Sequence, residues 1–153
     1  PDSQDFVIAN HFLEHCKNPI RAIETFLRVL KKGGILYLAV PDKRATFDAE
    51  RPVTSLEHIA KDYKQGSDWS RKEHFCEWAT FVDKKERNEV EKHAEKLMHD
   101  RYSIHFHVWT YLEVFELILY LKQKLYFEFE VEEFVFTGCE AIFIIKKCSM
   151  ENL

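Results

Sequence analysis

The segment Asp5–Asp42 constrains the fold more than any other part of the chain. Phe6-Val7-Ile8-Ala9 is an apolar run, too short for a helix and of the kind a sheet buries on both faces. Asn10 and His11 end it. Asn18 is a ready helix cap, and Pro19 suits a first helical turn. Ile20, Ile23, Leu27 and Leu30 then recur at helical spacing with Phe26 beside them, which leaves Arg21, Glu24, Arg28 and Lys31 for water. Lys31 and Lys32 favour the negative end of the helix dipole, and Gly33-Gly34 offers a left-handed stop. Ile35–Val40 is a second apolar strand, ended by Pro41. Strand, helix and strand in this order predict a right-handed parallel crossover. Ligands of open α/β sheets bind at the carboxyl ends of the strands, so the segment also proposes where a site lies.

Two motifs in this segment carry a family resemblance. Asp5, Val7, Leu13, Glu14 and His15 spell D-x-V-x-x-x-x-x-L-E-H, and Arg28, Leu30, Lys31, Gly33, Gly34 and Leu36 spell R-x-L-K-x-G-G-x-L with Val29 inside it. Together, at this spacing, they resemble the second half of the class I S-adenosylmethionine-dependent methyltransferases of the small-molecule type. The implied fold is α/β: a partial Rossmann-like methyltransferase sheet of parallel strands with a C-terminal antiparallel hairpin. The implied cofactor is S-adenosylmethionine. The family's glycine-rich cofactor loop and its acidic ribose-holding residue lie upstream of the matched motifs. Only four glycines occur in 153 residues, and none forms a G-x-G loop. The resemblance therefore implies the C-terminal part of a methyltransferase, with doubtful activity on its own.

The rest of the chain extends this reading as one domain over residues 1–153, with residues 43–107 as a helical insertion or lid. Arg51-Pro52 marks a loop, and Thr54 or Ser55 caps a helix through Leu56, Ile59, Ala60 and Tyr63 that Gln65-Gly66-Ser67-Asp68 ends. Ser70–Met98 reads as helical, its charged part Asp83–Lys96 solvated. Tyr102–His107 reads as extended, and Thr110 caps a helix that ends near Lys124. Tyr126–Phe136 alternates Phe127, Phe129 and Val131 with Glu128, Glu130 and Glu132, as a strand with one wet face does. Thr137-Gly138 turns the chain into the apolar strand Ala141–Ile145, followed by a basic, frayed tail.

Composition narrows the function classes. A net charge of −4 argues against a general nucleic-acid binder. No apolar run approaches the roughly 20 residues of a membrane helix. Cys16, Cys76, Cys139 and Cys148 form no C-x-x-C pair and suggest reduced thiols in a cytoplasmic protein. The expected partner is a small-molecule acceptor, sugar-like in one version, with neither nucleic acid nor membrane. A half-sheet also exposes a strand edge, which invites self-association or pairing with another chain. That edge supports the alternative of a non-catalytic binding or assembly module.

The candidate site residues follow from the strand ends. The resemblance places Asn10, His11, Phe12, Leu13 and His15 beside the methionine part and sulfonium of the cofactor, where carbonyls and an aromatic face stabilise the electron-poor methyl. It places Asp42 and Arg44, after the second strand, toward the substrate. His105-Phe106-His107 puts two imidazoles on one face of an extended segment, followed by Trp109. These suggest His105 and Trp109 as acceptor contacts and His58 or His107 as a general base, since histidine titrates near neutrality. Two such histidines also suit a metal, with His11, His58 or His74 as further ligands, but structural and substrate roles outweigh that reading and no metal is assigned. His11–His15 matches H-x-x-E-H, the inverted zinc-protease signature, yet Asn18-Pro19 leaves about one turn of helix where that chemistry needs a continuous one. Phe75, Trp78, Phe81, Trp109 and Phe115 read as core rather than as an acceptor pocket.

Overall fold

In a computed structural model, residues 1–148 are described. They form strand β1 (Gln4–Asn10), helix α1 (Pro19–Val29), strand β2 (Leu30–Pro41), helices α2 (Leu56–Gln65), α3 (Arg71–Phe81), α4 (Val90–His99) and α5 (Tyr111–Gln123), and strands β3 (Phe129–Phe136) and β4 (Glu140–Lys147). The sheet order is β1-β2-β4-β3. β1 and β2 run parallel, and β4 lies antiparallel to both β2 and β3. This is the α/β sheet, parallel strands plus an antiparallel hairpin, expected from the motifs.

One face of the sheet makes the core. Ala9, Leu36, Leu38, Val40, Phe143 and Ile145 meet Ile20, Ile23 and Leu27 of α1 and Val114, Leu117, Ile118 and Leu121 of α5. Asn18 caps α1 by accepting from the Arg21 amide at 3.0 Å. Thr110 and Glu113 close a capping box on α5. Across the register, Phe6, Ile35, Ile8 and Tyr37 project to the other face. There Phe6 and Ile8 are each 65% exposed.

Several expectations need correction. Helix α1 stops at Val29, not at the glycines, because buried Leu30 turns extended and opens β2. The amides of Asp2 and Ser3 satisfy the carbonyls of Arg28 and Val29. Lys31 and Lys32 therefore sit on a strand, and Gly33, at φ +75°, absorbs the irregularity between the Gln4↔Leu30 and Phe6↔Ile35 pairs. Ser70–Met98 is two helices, α3 and α4. They pack on each other through Phe75, Trp78, Ala94 and Leu97, so part of the charged stretch is a packed helix. The alternation of β3 breaks at a bulge between Val131 and Glu133, after which Phe134 takes the inward position. β4 runs on to Lys147, and the tail from Ser149 lies outside the described residues.

Candidate active site

The parallel strands β1 and β2 end side by side, with Asn10 opposite Ala39. His11 follows in a left-handed conformation, φ +48°, its amide bonded to the Ala39 carbonyl at 3.0 Å and its Nε2 2.9 Å from Glu140. Asn10, His11 and Phe12 are exposed, and the Phe12 ring stands 5.9 Å from that of Phe26. Leu13 is buried core. Glu14 is buried with neither carboxylate oxygen hydrogen-bonded, and burial pushes its pKa up. His15 Nδ1 lies 3.0 Å from the Ile104 carbonyl, so this ring holds a loop in place.

The polypeptide from Ile104 to Trp109 is a strap across both strand ends. The Phe106 amide donates to the Glu14 carbonyl at 2.7 Å, and the Lys43 amide to the Trp109 carbonyl at 2.9 Å. The Thr54 amide donates to the Val108 carbonyl at 2.8 Å, which ties the segment leading into α2 to the same strap. The strap is irregular and bends at Phe106. His105 and His107 consequently serve separate networks instead of one shared face.

His105 Nδ1 lies 2.6 Å from Asp48 Oδ2. Arg51, fully buried, donates from Nη1 to Asp48 at 2.8 Å and to the His105 carbonyl at 2.9 Å, and from Nε to Glu77 at 2.7 Å. Burial alone would raise the Asp48 pKa, but the bonds from His105 and Arg51 outweigh it and hold the carboxyl below its usual range. Burial pushes Glu77 up, with Arg51 opposing.

His107 is fully buried, with Nδ1 3.0 Å from the Cys16 carbonyl and Nε2 3.0 Å from Asp62 Oδ2. His58 Nε2 is 3.1 Å from His74 Nε2 and 3.5 Å from Asp62 Oδ2. Ser70 Oγ donates to Asp62 Oδ1 at 3.2 Å. Burial, with His107 and His58 alongside, lowers the His74 pKa to about 3; burial lowers that of His58 as well, against the pull of Asp62. Both rings are therefore neutral at ordinary pH. A cavity of ≈ 150 Å³ opens beside them, lined in part by Thr54, Ser55, His58, Glu73, His74 and Glu77.

The structure thus brings His58 and His107 together, but His107 has both ring nitrogens engaged and no exposure, which removes it as a direct base. Trp109 is enclosed in the core, its ring parallel to that of His107 at 6.1 Å, and does not face an acceptor. Asp42 is a buried clamp: it accepts from Arg44 N, Nε and Nη2 at 3.0, 2.8 and 2.7 Å and from the Tyr111 amide at 3.1 Å, tying the end of β2 to α5. Arg44 stays half-exposed over the Tyr111 ring. Asp62, Arg51 and Glu77 are absent from the residues singled out in the sequence. Only Asp62 left a signal there, standing four residues after His58 and so on the same helix face.

A family described as a methyltransferase domain has a sequence model that matches residues 1–99 of the 153, which includes both strand ends and helices α1 to α4. The chain belongs to that methyltransferase family. Neither the curated proteins nor the solved structures yield a significant match. In this methyltransferase domain the four cysteines are free thiols, and no described helix is long and apolar enough to cross a membrane.

Exposed polar and aromatic groups stand at the end of β1. Asn10 and Phe12 offer an exposed amide and an exposed aromatic face at the carboxyl edge of β1. Gly33 and Gly34 lie toward the amino end of β2, Gly66 follows α2 and Gly138 lies in the β3–β4 turn, so no described glycine loop cradles the cofactor's other end.

Proposed function

We propose that this domain transfers a methyl group from S-adenosylmethionine to a small, sugar-like or other hydroxylated acceptor held in the cavity beside α2 and α3. The observation that carries the proposal is the strap, bonded at once to the residues after β1, to those after β2 and to the cavity wall. That connection supports reading the cavity as the acceptor pocket, since ligands of such sheets bind at the strand ends. S-adenosylmethionine supplies an electrophilic methyl on a sulfonium. Asn10 and Phe12 bound the sulfonium side, the ring by a cation–π contact. Thr54, Ser55 and Glu73 orient the acceptor, and alignment of the two reactants provides most of the acceleration. Nε2 of His58 is engaged by His74 and Asp62, so we assign the acceptor's proton to Glu77, a carboxylate tuned upward by burial and fixed by Arg51. This reading requires a glycine-rich segment in addition to these residues, because the four glycines present form no G-x-G loop. The exposed apolar face of Phe6 and Ile8 supports a packing partner for the sheet. The protein acts in the cytoplasm.

The test is calorimetric titration of S-adenosylhomocysteine into the intact protein, followed by transfer of labelled methyl to a small-metabolite fraction. Phe12→Ala should weaken binding about fivefold, by loss of a contact worth ~1 kcal/mol. Glu77→Gln should leave binding intact and slow transfer by about a hundredfold. An intact protein that binds no S-adenosylhomocysteine overturns the proposal in favour of an assembly module.

A further inference from the structure

The His58–Asp62–His74–His107 cluster carries a function that methyl transfer does not require. Its four donor atoms lie within 4.8 Å of one another. The closest separations are 3.0 Å for His107 to Asp62, 3.1 Å for His58 to His74 and 3.5 Å for His58 to Asp62. Four donors on a tetrahedron with bonds of about 2.0–2.1 Å stand about 3.3 Å apart. The cluster is therefore already close to the spacing of a four-ligand site.

Hydrogen bonding around it points the same way. A carbonyl only accepts, so the Cys16 carbonyl fixes the hydrogen of His107 on Nδ1. Nε2 faces a carboxylate oxygen at 3.0 Å, and either a proton or a metal cation between the two satisfies that contact. Ser70 holds the other Asp62 oxygen, and Asn18 donates to the Asp62 carbonyl at 2.8 Å. An imidazole whose far nitrogen donates to a carbonyl, beside a carboxylate steadied by a hydroxyl, is the arrangement that orients metal ligands. Asp62 and His107 are fully buried and His74 nearly so, which makes an uncompensated carboxylate costly there. A single cation among the four atoms answers every one of these contacts.

We propose that Nε2 of His58, His74 and His107 and Oδ2 of Asp62 bind one divalent ion of the zinc class. Three imidazoles and one carboxylate suit zinc and its neighbours in the transition series, whereas magnesium and calcium prefer oxygen donors throughout. The ion joins the consecutive helices α2 and α3 to the strap, which is remote from them in sequence, and so locks these helices beside the strand ends. His58 and His74 also line the cavity, which gives the ion a route in from solvent.

The test uses the intact protein, purified without metal-affinity steps, with zinc measured by elemental analysis and by competition against a chromogenic chelator. One equivalent of zinc per chain is expected. His58→Ala and His74→Ala should each weaken it at least about tenfold. His93→Ala, whose ring pairs with Asp83 away from the cluster, should leave it unchanged. Cobalt loading of the wild-type protein needs no variant: strong visible absorption without a thiolate charge-transfer band reports four-coordinate nitrogen and oxygen ligation. A protein that takes up no zinc, equal affinity in all the variants, or the weak spectrum of six-coordinate cobalt would each overturn the proposal. These readouts do not depend on methyl transfer, so either conclusion can fail alone.

Discussion

Replacing Arg51 by methionine tests how the insertion is held. Methionine keeps an aliphatic stem and deletes the guanidinium, whose carbon stands 5.8 Å from the centre of the Trp78 ring. Three bonds go: one to Asp48, one to Glu77 and one to the His105 carbonyl. Removing one partner of a buried ion pair costs about 3–5 kcal/mol because the other charge stays behind. The lower end applies here, since Asp48 keeps His105 at 2.6 Å and Glu77 is partly solvated. The expected loss is about 3 kcal/mol, and at about 2–4 °C per kcal/mol for a chain of this size the melting temperature falls by about 6–12 °C. Urea denaturation of wild type, Arg51→Met, Glu77→Gln and the double variant closes a cycle. Coupling of about 1 kcal/mol or more between the two sites is expected for groups in contact. A loss below about 1 kcal/mol, or strict additivity, would refute the argument that this guanidinium organises the turn, α3 and the strap together.

Four further outcomes follow from particular residues. A Cβ on Gly34 would meet the Lys31 and Asp5 carbonyls at 2.9 and 3.0 Å, so Gly34→Ala should cost about 1–3 kcal/mol in denaturant unfolding. Gly33→Ala meets no atom but keeps φ +75°, and should cost only about 1 kcal/mol. Asp42→Asn should destabilise the fold by about 2 kcal/mol at neutral pH, because bonds from Arg44 and Tyr111 outweigh burial and depress the carboxyl's pKa. A depressed folded pKa contributes stability above the ordinary value of about 4 and loses it as pH falls through the folded value, so the variant and wild type should converge in acid. Glu14→Gln has the opposite sign: burial raises the Glu14 pKa, so its ionised form opposes folding. The variant should gain on the order of 1 kcal/mol at neutral pH, and the gain should shrink as pH falls into the carboxylate range.

What could be read along the chain was local. Asn18, Ser55 and Thr110 announce their helices because a cap needs only an oxygen and the next turn. The β1–α1–β2 unit is legible because its strands are apolar runs, although β1 is buried on one face only and leaves Phe6 and Ile8 exposed on the other. The strap was not legible: period-2 spacing assigns His105 and His107 to one face, and the bend at Phe106 depends on Phe75 and His74, remote in sequence. The early end of α1 was hidden for a related reason. Leu30 continues the helical spacing, and its strand role appears only once Gln4 lies beside it. Asp62 falls at a helical position that reads as solvent-facing until α3 and the strap close over it.

Helices α3 and α4 and the sheet are stabilised by different physics, and this has a measurable consequence. The sheet face packs against α1 and α5 in a continuous apolar core. Helices α3 and α4 share only a satellite cluster of Phe75, Trp78, Ala94 and Leu97 with Ile104 and Phe106 of the strap. The buried polar ties of α3 include the Arg51 and Asp62 networks, which orient more than they stabilise, because desolvation cancels much of the attraction in a buried ion pair. Local opening follows the smaller apolar burial. Amide hydrogen exchange should therefore be faster in α3 and α4 than in β2 and β4, where each strand is paired on both sides. Zinc should slow exchange in α2, α3 and the strap while leaving β4 unchanged, since the ion binds only the closed insertion. Uniform protection across the chain would mean that the insertion and sheet open as one unit, and the polar networks would then have to be as stabilising as the core.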